Sequence, residues 1–304
     1  MKISFNHLKD HIKENNLSIH DVSEKLFQLG HENTIKDNIF DIEFTPNRGD
    51  CLSVSGLARD LKPFYKTNDN LKKYEDEIPE LDINFENKIP DECKNITFLE
   101  LKISHKRNSY KNYLERYFQE LNINKNNFFT DISNYLNYEL GQPTHCYDLN
   151  KIDGEIRLEQ LKKQVTFRSL QDKDINLTGK NNVFIVNDEV INLAGIMGGK
   201  STACESSTNH ILVECANFLP DSIINKSIKY DLNSEAAYKF ERGVDPSPKF
   251  QENVLRRFIY IVGEHATIED IKIRSFNYQD INNIKIDFDL HIVNKILGTC
   301  IKKE

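Results

Sequence analysis

The chain has 304 residues, a net charge of −7 at pH 7 and a hydrophobic share of 38%. At about 100–200 residues per domain, this length predicts two domains and leaves room for a short third piece. With 12 glycines and 8 prolines, the composition excludes a collagen-like or wholly disordered chain. No apolar run is long enough to predict a membrane span. The acidic balance argues against nucleic-acid binding over the whole surface.

The cysteines are scattered along the chain, without a CxxC pair or a Cys/His spacing typical of metal ligands. They are Cys51, Cys93, Cys146, Cys204, Cys215 and Cys300. The sequence therefore predicts neither a disulfide scaffold nor a metal site, and it favours reduced thiols in a cytoplasmic protein. A basic segment followed by an apolar one, as in secretion signals, is absent from the amino terminus.

The first part of the chain has the pattern of a small α/β unit. Ser18 is predicted to cap a helix that ends at Gly30. Residues 40–44 predict a strand, and the turn formers at residues 45–50 predict a loop. A further helix is expected at about residues 52–61, so that this unit contains both helices and strands.

Residues 91–272 mix strand and helix patterns. Ser109 is predicted to cap a helix with a strong apolar stripe, and Ser234 to cap a helix at residues 235–242. A last helix is expected at about residues 250–262. Strand-like runs occupy residues 96–103, 156–158, 183–186, 190–197 and 211–216. Strands in the middle with helices around them predict an α+β domain.

Two segments flank this domain. Residues 66–92 are polar and acidic and predict a linker, interrupted by a strand-like run at residues 81–85. We therefore place a domain boundary near residue 90, so that residues 1–90 hold the first unit and the linker. Residues 273–304 predict a strand at 284–288 and a helix at 291–297. This piece is too short to form a core and has the pattern of a truncated third domain.

Signatures of P-loops, dinucleotide-binding folds, serine hydrolases and zincins are absent from the sequence. The remaining candidates are polar residues in apolar or glycine-rich segments. Gly141 and Pro143 predict a turn that presents His145 beside Ser133 and Asn134. Because a lone histidine is more often structural than functional, a surface or packing role for His145 stays open.

Three further segments each allow two interpretations. The glycines at residues 194–199, including Gly198, predict either a close backbone approach or a hairpin turn. Glu214 lies in an apolar run, where it is either a pocket carboxylate or a solvent-facing side chain on an edge strand. Ser234 is explained by helix capping alone, although a helix start also offers N–H groups to a carbonyl or a phosphate.

Taken together, five segments resemble the β subunit of bacterial phenylalanyl-tRNA synthetase. They match that family in order and spacing, at residues 1–9, 45–59, 139–145, 194–199 and 241–246. One such segment would be weak evidence, whereas five in series form a specific signal.

The resemblance implies that residues 91–272 form the B3/B4 module, which in bacterial members hydrolyses tyrosine wrongly esterified to the phenylalanine tRNA. Carried over by position, the catalytic residues are Glu214, which would meet the tyrosine hydroxyl, and His145, which would lie beside the ester. The substrate-binding positions carried over are Ser133, Asn134, Pro143, Gly198, Ser234 and Ala236. Since a paired Cys or Ser nucleophile is not evident, we expect water to attack the ester.

The resemblance also implies partners, and the sequence departs from the family pattern in two places. An α subunit, in an assembly of two α and two β subunits, would carry out aminoacylation, and tRNA(Phe) would bind. We expect no cofactor in this chain, whereas ATP and Mg²⁺ would serve the full synthetase. The usual tRNA-binding insert after the first forty residues is missing. Asn124 stands where the family usually has an arginine, so contact with the tRNA end would require the neighbouring Lys125 to substitute for it.

Two alternatives to an editing enzyme remain at this point. The first is a non-catalytic scaffold that contacts the α subunit or tRNA and has a degenerate editing site. The Asn124 departure and the missing insert favour it. The second is a general nucleic-acid-binding module that uses Lys249, Arg256 and Arg257, although a charge cluster on a helix is usually a solvated face.

Overall fold

The computed structural model describes residues 1–14, 16–65, 71–279 and 285–302, which form the α+β fold that the sequence predicts. Their helices are α1 (Phe5–Ile12), α2 (Ile19–Gln28), α3 (Val54–Leu61), α4 (Asn112–Leu121), α5 (Phe128–Leu140), α6 (Lys226–Lys229), α7 (Glu235–Phe240), α8 (Pro248–His265) and α9 (Leu290–Leu297). Their strands are β1 (Lys2–Ser4), β2 (Glu32–Lys36), β3 (Ile39–Glu43), β4 (Phe85–Asn87), β5 (Cys93–Ser104), β6 (His145–Asp148), β7 (Ile156–Gln160), β8 (Val165–Arg168), β9 (Asp174–Leu177), β10 (Asn182–Val186), β11 (Glu189–Leu193), β12 (Met197–Gly198), β13 (His210–Phe218) and β14 (Thr267–Asn277). In these ranges, every helix is too short or too polar to cross a membrane.

The amino-terminal unit contains a three-stranded antiparallel sheet of order β1-β3-β2 together with α1, α2 and α3. Leu8, Val22 and Phe40 are fully buried in an apolar core that continues into the helices α5 and α8 of the second unit. Helix α2 starts after Ser18, which is its N-cap residue as predicted, but the Ser18 side chain makes no capping hydrogen bond. Gly30 follows α2 with a φ of +84°, a left-handed conformation that glycine adopts without steric cost.

The second unit is built around an antiparallel sheet of order β14-β5-β13-β6. Alternate side chains of a strand point to opposite faces. In β13, Ile211 and Val213 pack in one core with the apolar residues of α8, whereas Leu212 and Ala216 pack in another with the sheet of order β12-β11-β10-β7-β4. Strand β13 therefore lies between two apolar layers, with Glu214 on the side of the second sheet.

Two elements of this unit differ from the sequence prediction. Helix α4 begins later than a cap at Ser109 requires, because Tyr110 stays outside the helix and donates from its hydroxyl to Asp131 Oδ2 at 2.7 Å. The strand predicted at residues 190–197 divides into β11 and β12. A turn separates them at Gly195, where φ is +71°.

The predicted linker, residues 66–92, is described only in part, since residues 66–70 lie outside the described residues. The strand expected at residues 81–85 is wrong in its bounds, because only Phe85 belongs to β4. Strand β4 pairs in parallel with β7 and so extends the second sheet instead of standing alone in a linker.

The carboxy-terminal residues match their prediction in one element. Helix α9 confirms the helix predicted at residues 291–297. Of the strand predicted at 284–288, residue 284 lies outside the described residues, and residues 285–288 do not form a strand. The side chains of Ile286 and Phe288 are 83% and 73% exposed, so neither is packed against a neighbouring strand.

Gly49 joins the two units through a backbone contact. A Cβ atom added at Gly49 would lie 2.5 Å from the carbonyl oxygen of Gly243 and 2.6 Å from that of Arg242. Backbone atoms cannot move aside as the end of a long side chain can. The absence of a side chain at Gly49 therefore lets the loop after β3 lie directly on the turn after α7.

Gly49→Ala is expected to lower the free energy of unfolding by about 1–3 kcal/mol, because overpacking forces the backbone apart. Urea unfolding followed by circular dichroism measures this change. Gly263→Ala is the matched control, since its added Cβ would meet its nearest neighbour, Ile268 Cδ1, at 3.5 Å. This control lies inside α8 and is expected to be neutral or to raise stability by about 0.5–1 kcal/mol. Equal stabilities of Gly49→Ala and the parent protein would contradict the contact.

Candidate functional site

Glu214 and His145 lie directly opposite each other in neighbouring strands. In the antiparallel pairing of β13 with β6, Glu214 is the Cα partner of His145. Side chains of such directly opposed residues share one face of the sheet, with Cβ atoms about 4.5–5.5 Å apart. The structure therefore brings both residues of the predicted catalytic pair together, on the face that packs against the second sheet.

Glu214 is an enclosed carboxylate and not a solvent-facing group on an edge strand, since β13 lies inside its sheet and the residue is 5% exposed. Tyr147 donates from its hydroxyl to Glu214 Oε2 at 2.8 Å. Asn192 donates from Nδ2 to the same oxygen at 3.3 Å and to the Tyr147 hydroxyl oxygen at 2.7 Å. One oxygen of the carboxylate thus accepts both of these hydrogen bonds.

The environment of Glu214 changes its acidity. Burial raises the pKa of Glu214 from 4.5 to about 7, and the hydrogen bond from Tyr147 opposes this increase. Both the protonated and the ionised forms are therefore accessible near pH 7. An ionised Glu214 can accept a hydrogen bond from a ligand hydroxyl, whereas a protonated one can also donate.

His145 packs edge-on against Tyr147, with ring centroids 4.4 Å apart. Burial lowers the pKa of His145 to about 4, so the imidazole is neutral near pH 7. Its Nε2 atom is enclosed and has no hydrogen-bond partner among the described residues. A neutral imidazole with an unpaired nitrogen can position a ligand or a water molecule, but its low pKa makes it a weak base.

Gly198 provides the close approach that was one interpretation of residues 194–199. A Cβ atom added at Gly198 would collide with Cε1 of the His145 ring. The hairpin interpretation holds for the same segment, because β11 and β12 are antiparallel neighbours joined by the turn at Gly195. Gly198 therefore lets β12 lie directly against the imidazole.

Two serines tie other elements to these groups. The Ser133 hydroxyl is 2.7 Å from the Thr144 hydroxyl and donates to the Thr144 carbonyl oxygen at 2.8 Å, next to His145. Ser234 accepts from the Ala237 N–H at 3.1 Å, which confirms the predicted helix cap. It also donates to the carbonyl oxygen of Ile196 at 2.8 Å and so links α7 to the turn before β12.

The other sequence-predicted positions lie on the adjoining elements. Asn134 follows Ser133 on α5, and its carbonyl oxygen accepts from Tyr117 at 3.3 Å. Pro143 is buried in the loop between α5 and β6. Ala236 is half-buried on α7 and packs on the same apolar core as Tyr147. No hydrogen bond joins Asn134 to Glu214 or His145 among the described residues, so this residue is placed near the site only by its helix.

The sequence interpretation missed Tyr147 and Asn192. A signal for each was present: Tyr147 stands two residues after His145, which places both on one face of a strand. Asn192 is a polar residue within the apolar run of β11, the same pattern that singled out Glu214. Their contacts with Glu214 cross 67 and 22 residues of chain, so local sequence did not show that they contact it.

A cleft of about 640 Å³ lies away from this site, between the two units. Its lining includes Asp50, Arg59, Arg242 and Asp245. The residues that line it do not include any of the eight sequence-predicted site residues. The candidate site is instead enclosed between the two sheets.

His31, Cys51 and Asp60 form a cluster whose ligand-type atoms lie within 4.8 Å of one another. These residues do not suit a metal ion. The guanidinium groups of Arg48 and Arg59 already bind the Asp60 carboxylate. Burial also raises the pKa of the Cys51 thiol, which disfavours the thiolate that binds metals.

Comparisons with known proteins settle the family. A family model described as "B3/4 domain" matches residues 93–267, more than half of the chain. The chain belongs to this family.

Curated relatives named phenylalanine--tRNA ligase beta subunit confirm the resemblance seen in the sequence. The relative from Francisella tularensis is 30% identical over 273 residues, which cover 87% of this chain and 34% of that protein. The relative from Burkholderia mallei is 33% identical over 245 residues, which cover 79% and 30%.

The chain thus spans about a third of the length of these curated relatives. Among solved structures, it is similar to an N-terminal fragment of the phenylalanyl-tRNA synthetase beta subunit from Pyrococcus horikoshii. That similarity has a TM-score of 0.47 at 13% identity and covers 99% of this chain and 85% of the other.

Proposed function

We propose that this protein acts as the editing part of a phenylalanyl-tRNA synthetase β subunit, which hydrolyses tyrosine esterified to tRNA(Phe). The observation that supports this proposal is the enclosed Glu214 carboxylate directly opposite His145, in a domain of the B3/4 family. Tyrosine and phenylalanine differ only by a hydroxyl group. A buried acceptor favours the ligand that carries the hydroxyl, since the other ligand leaves the acceptor unpaired.

Water is the proposed nucleophile. Cys146 and Cys215 are the nearest cysteines along β6 and β13, but both are buried in the core on the opposite face of the sheet, and burial raises the pKa of each thiol well above its ordinary value. Both therefore stay protonated near pH 7 and are poor nucleophiles. The neutral His145 would hydrogen-bond the water or the ester, and Glu214 would hold the amino-acid side chain.

The proposed partners are an α subunit and tRNA(Phe), and the proposed location is the cytoplasm. We propose that this chain needs no cofactor and that ATP and Mg²⁺ serve only the full synthetase. Asn124 would weaken a contact with the tRNA end, because the resemblance implies an arginine at this position. Its neighbour Lys125 pairs with Glu115 at 2.7 Å and lies over the Tyr110 ring. Lys125 is therefore already engaged within the protein.

The proposal predicts that the protein releases tyrosine from Tyr-tRNA(Phe) faster than phenylalanine from Phe-tRNA(Phe). Ester release is followed with radiolabelled amino acids, for the chain alone and for its complex with an α subunit. His145→Ala is expected to slow tyrosine release about five- to tenfold, the effect of losing one hydrogen bond. Equal rates with and without the protein, in both forms, would contradict editing and favour the scaffold alternative.

A further inference from the structure

The two oxygens of Glu214 have different surroundings. Oε2 accepts hydrogen bonds from Tyr147 and Asn192, which also bond each other. Oε1 accepts no hydrogen bond from any residue that the structure describes. A buried carboxylate normally has both oxygens paired, since an unpaired polar atom in an apolar layer costs free energy.

The two donors come from different sheets. Tyr147 lies on β6 beside β13, and Asn192 lies on β11 of the second sheet. Both donors are buried, at 1% and 3% exposure. Because the donors hold the same oxygen from two sides, they restrict the rotation of the carboxylate and fix the direction of Oε1.

We propose that Tyr147 and Asn192 are positioning residues, which hold Glu214 by Oε2 so that Oε1 is left to accept the hydroxyl of a phenolic side chain. This inference rests on the proposed function for the identity of the ligand. It assigns the selectivity for tyrosine over phenylalanine to three residues, Glu214, Tyr147 and Asn192, from three strands.

The test compares binding of L-tyrosine and L-phenylalanine by isothermal titration calorimetry. Tyr147→Phe removes the donor and keeps the ring. It is expected to weaken tyrosine binding about three- to tenfold, as the loss of one hydrogen bond would, and to leave phenylalanine binding unchanged. Asn192→Ala removes the other donor and is expected to change the selectivity in the same direction.

The pH dependence supplies a readout that a merely structural role would not move. Tyrosine binding should fall as pH drops through the pKa of Glu214, about 7, because the protonated carboxyl is a poorer acceptor. Loss of the Tyr147 hydrogen bond raises this pKa, so the midpoint should move to higher pH in Tyr147→Phe. The titratable groups next to Glu214 on its own and adjoining strands are Cys93, His145, Cys146, Tyr147 and Cys215.

Tyr135→Phe is the matched control. Tyr135 is also buried and donates to a buried carboxylate, Glu139 Oε1, at 2.9 Å, but in the other core. Its replacement should change neither the selectivity nor the pH midpoint.

Three results would overturn the inference. Tighter tyrosine binding by Tyr147→Phe would mean that the Tyr147 hydroxyl competes with the ligand. Unchanged selectivity in both variants, or no tyrosine binding by the parent protein, would also contradict it.

If the parent protein binds tyrosine selectively but does not hydrolyse Tyr-tRNA(Phe), the inference stands and the proposed function fails. Hydrolysis at the same rates in the parent and both variants would support the function and refute the inference.

Discussion

Arg257→Met is expected to lower the free energy of unfolding by about 3–5 kcal/mol, the cost of leaving one partner of a buried ion pair uncompensated. Arg257 donates from Nε and Nη2 to the two oxygens of Glu139, both at 2.8 Å. The side chains of Glu139 and Arg257 are 1% and 10% exposed. This pair joins α5 to α8, and Tyr135 donates one further hydrogen bond to the same carboxylate.

The loss should depend on pH. Burial by itself would raise the pKa of Glu139, but the charge and hydrogen bonds of Arg257 hold it below its ordinary value. Without Arg257, Glu139 loses its main partner, and its unpaired charge is relieved by taking up a proton or by the imidazole of His11, whose Nε2 lies 3.8 Å from Glu139 Oε1. Urea unfolding at pH 7 and pH 5 should therefore show a smaller difference between Arg257→Met and the parent protein at pH 5.

Arg168→Met is the control for this experiment. Arg168 pairs with Asp174 at 2.9 Å, but its side chain is 49% exposed, and such surface pairs contribute about 0–1 kcal/mol. A loss in Arg257→Met no larger than in Arg168→Met would show that the buried pair does not stabilise the fold. The structure buries the Arg257 charge against Glu139, which argues against its use as a nucleic-acid contact.

Glu214→Gln is expected to lower kcat/KM for Tyr-tRNA(Phe) hydrolysis about 10- to 100-fold, because a neutral acceptor replaces a charged one. The substitution keeps the shape of the side chain, so the packing around it is preserved. Hydrolysis of Phe-tRNA(Phe), whose side chain has no hydroxyl, should change little. The two esters are compared under the same conditions, from initial rates at several enzyme concentrations.

Glu264→Gln is the matched control, since Glu264 also accepts a hydrogen bond from a tyrosine hydroxyl, that of Tyr113 at 2.7 Å. It lies partly exposed on α8, where its partner Tyr113 packs against the other core, and its replacement should leave both ester rates unchanged. Equal losses for the two esters in Glu214→Gln would indicate a general structural role for Glu214 and would remove it from substrate selection.

The sequence predicted the fold where local pattern and tertiary environment agree. The helix α9 and the apolar strand β13 have clear periodicity or apolar runs, and both formed as expected. The start of α4 was misplaced because the sequence does not reveal the distant partners of the residues before it: the Tyr110 hydroxyl donates to Asp131, and the Lys111 N–H donates to His265. The division of residues 190–197 into two strands depends on the turn at Gly195, which an apolar pattern does not reveal.

The candidate site was predictable to a similar degree. Glu214 was found because a charged residue in an apolar run is costly to bury without a partner. Its partners were not found, since a tyrosine in a strand is ordinary and Tyr147 reaches Glu214 only through the pairing of β6 with β13. The family resemblance supplied the roles of the remaining residues, and these stay predictions.

The enclosure of Glu214 also links folding to proton uptake. Its pKa is about 7 in the folded protein and 4.5 in a solvated chain, so between these values the folded state binds a proton that the unfolded state has released. The contribution of Glu214 to stability is therefore greatest at low pH and declines as pH rises through this interval. Ionisation prepares the carboxylate to accept a ligand hydroxyl, and a bound hydroxyl would return part of the stability that the charge removes. A ligand that bound at this site would thus couple its own binding to resistance against unfolding at neutral pH, through one titrating group.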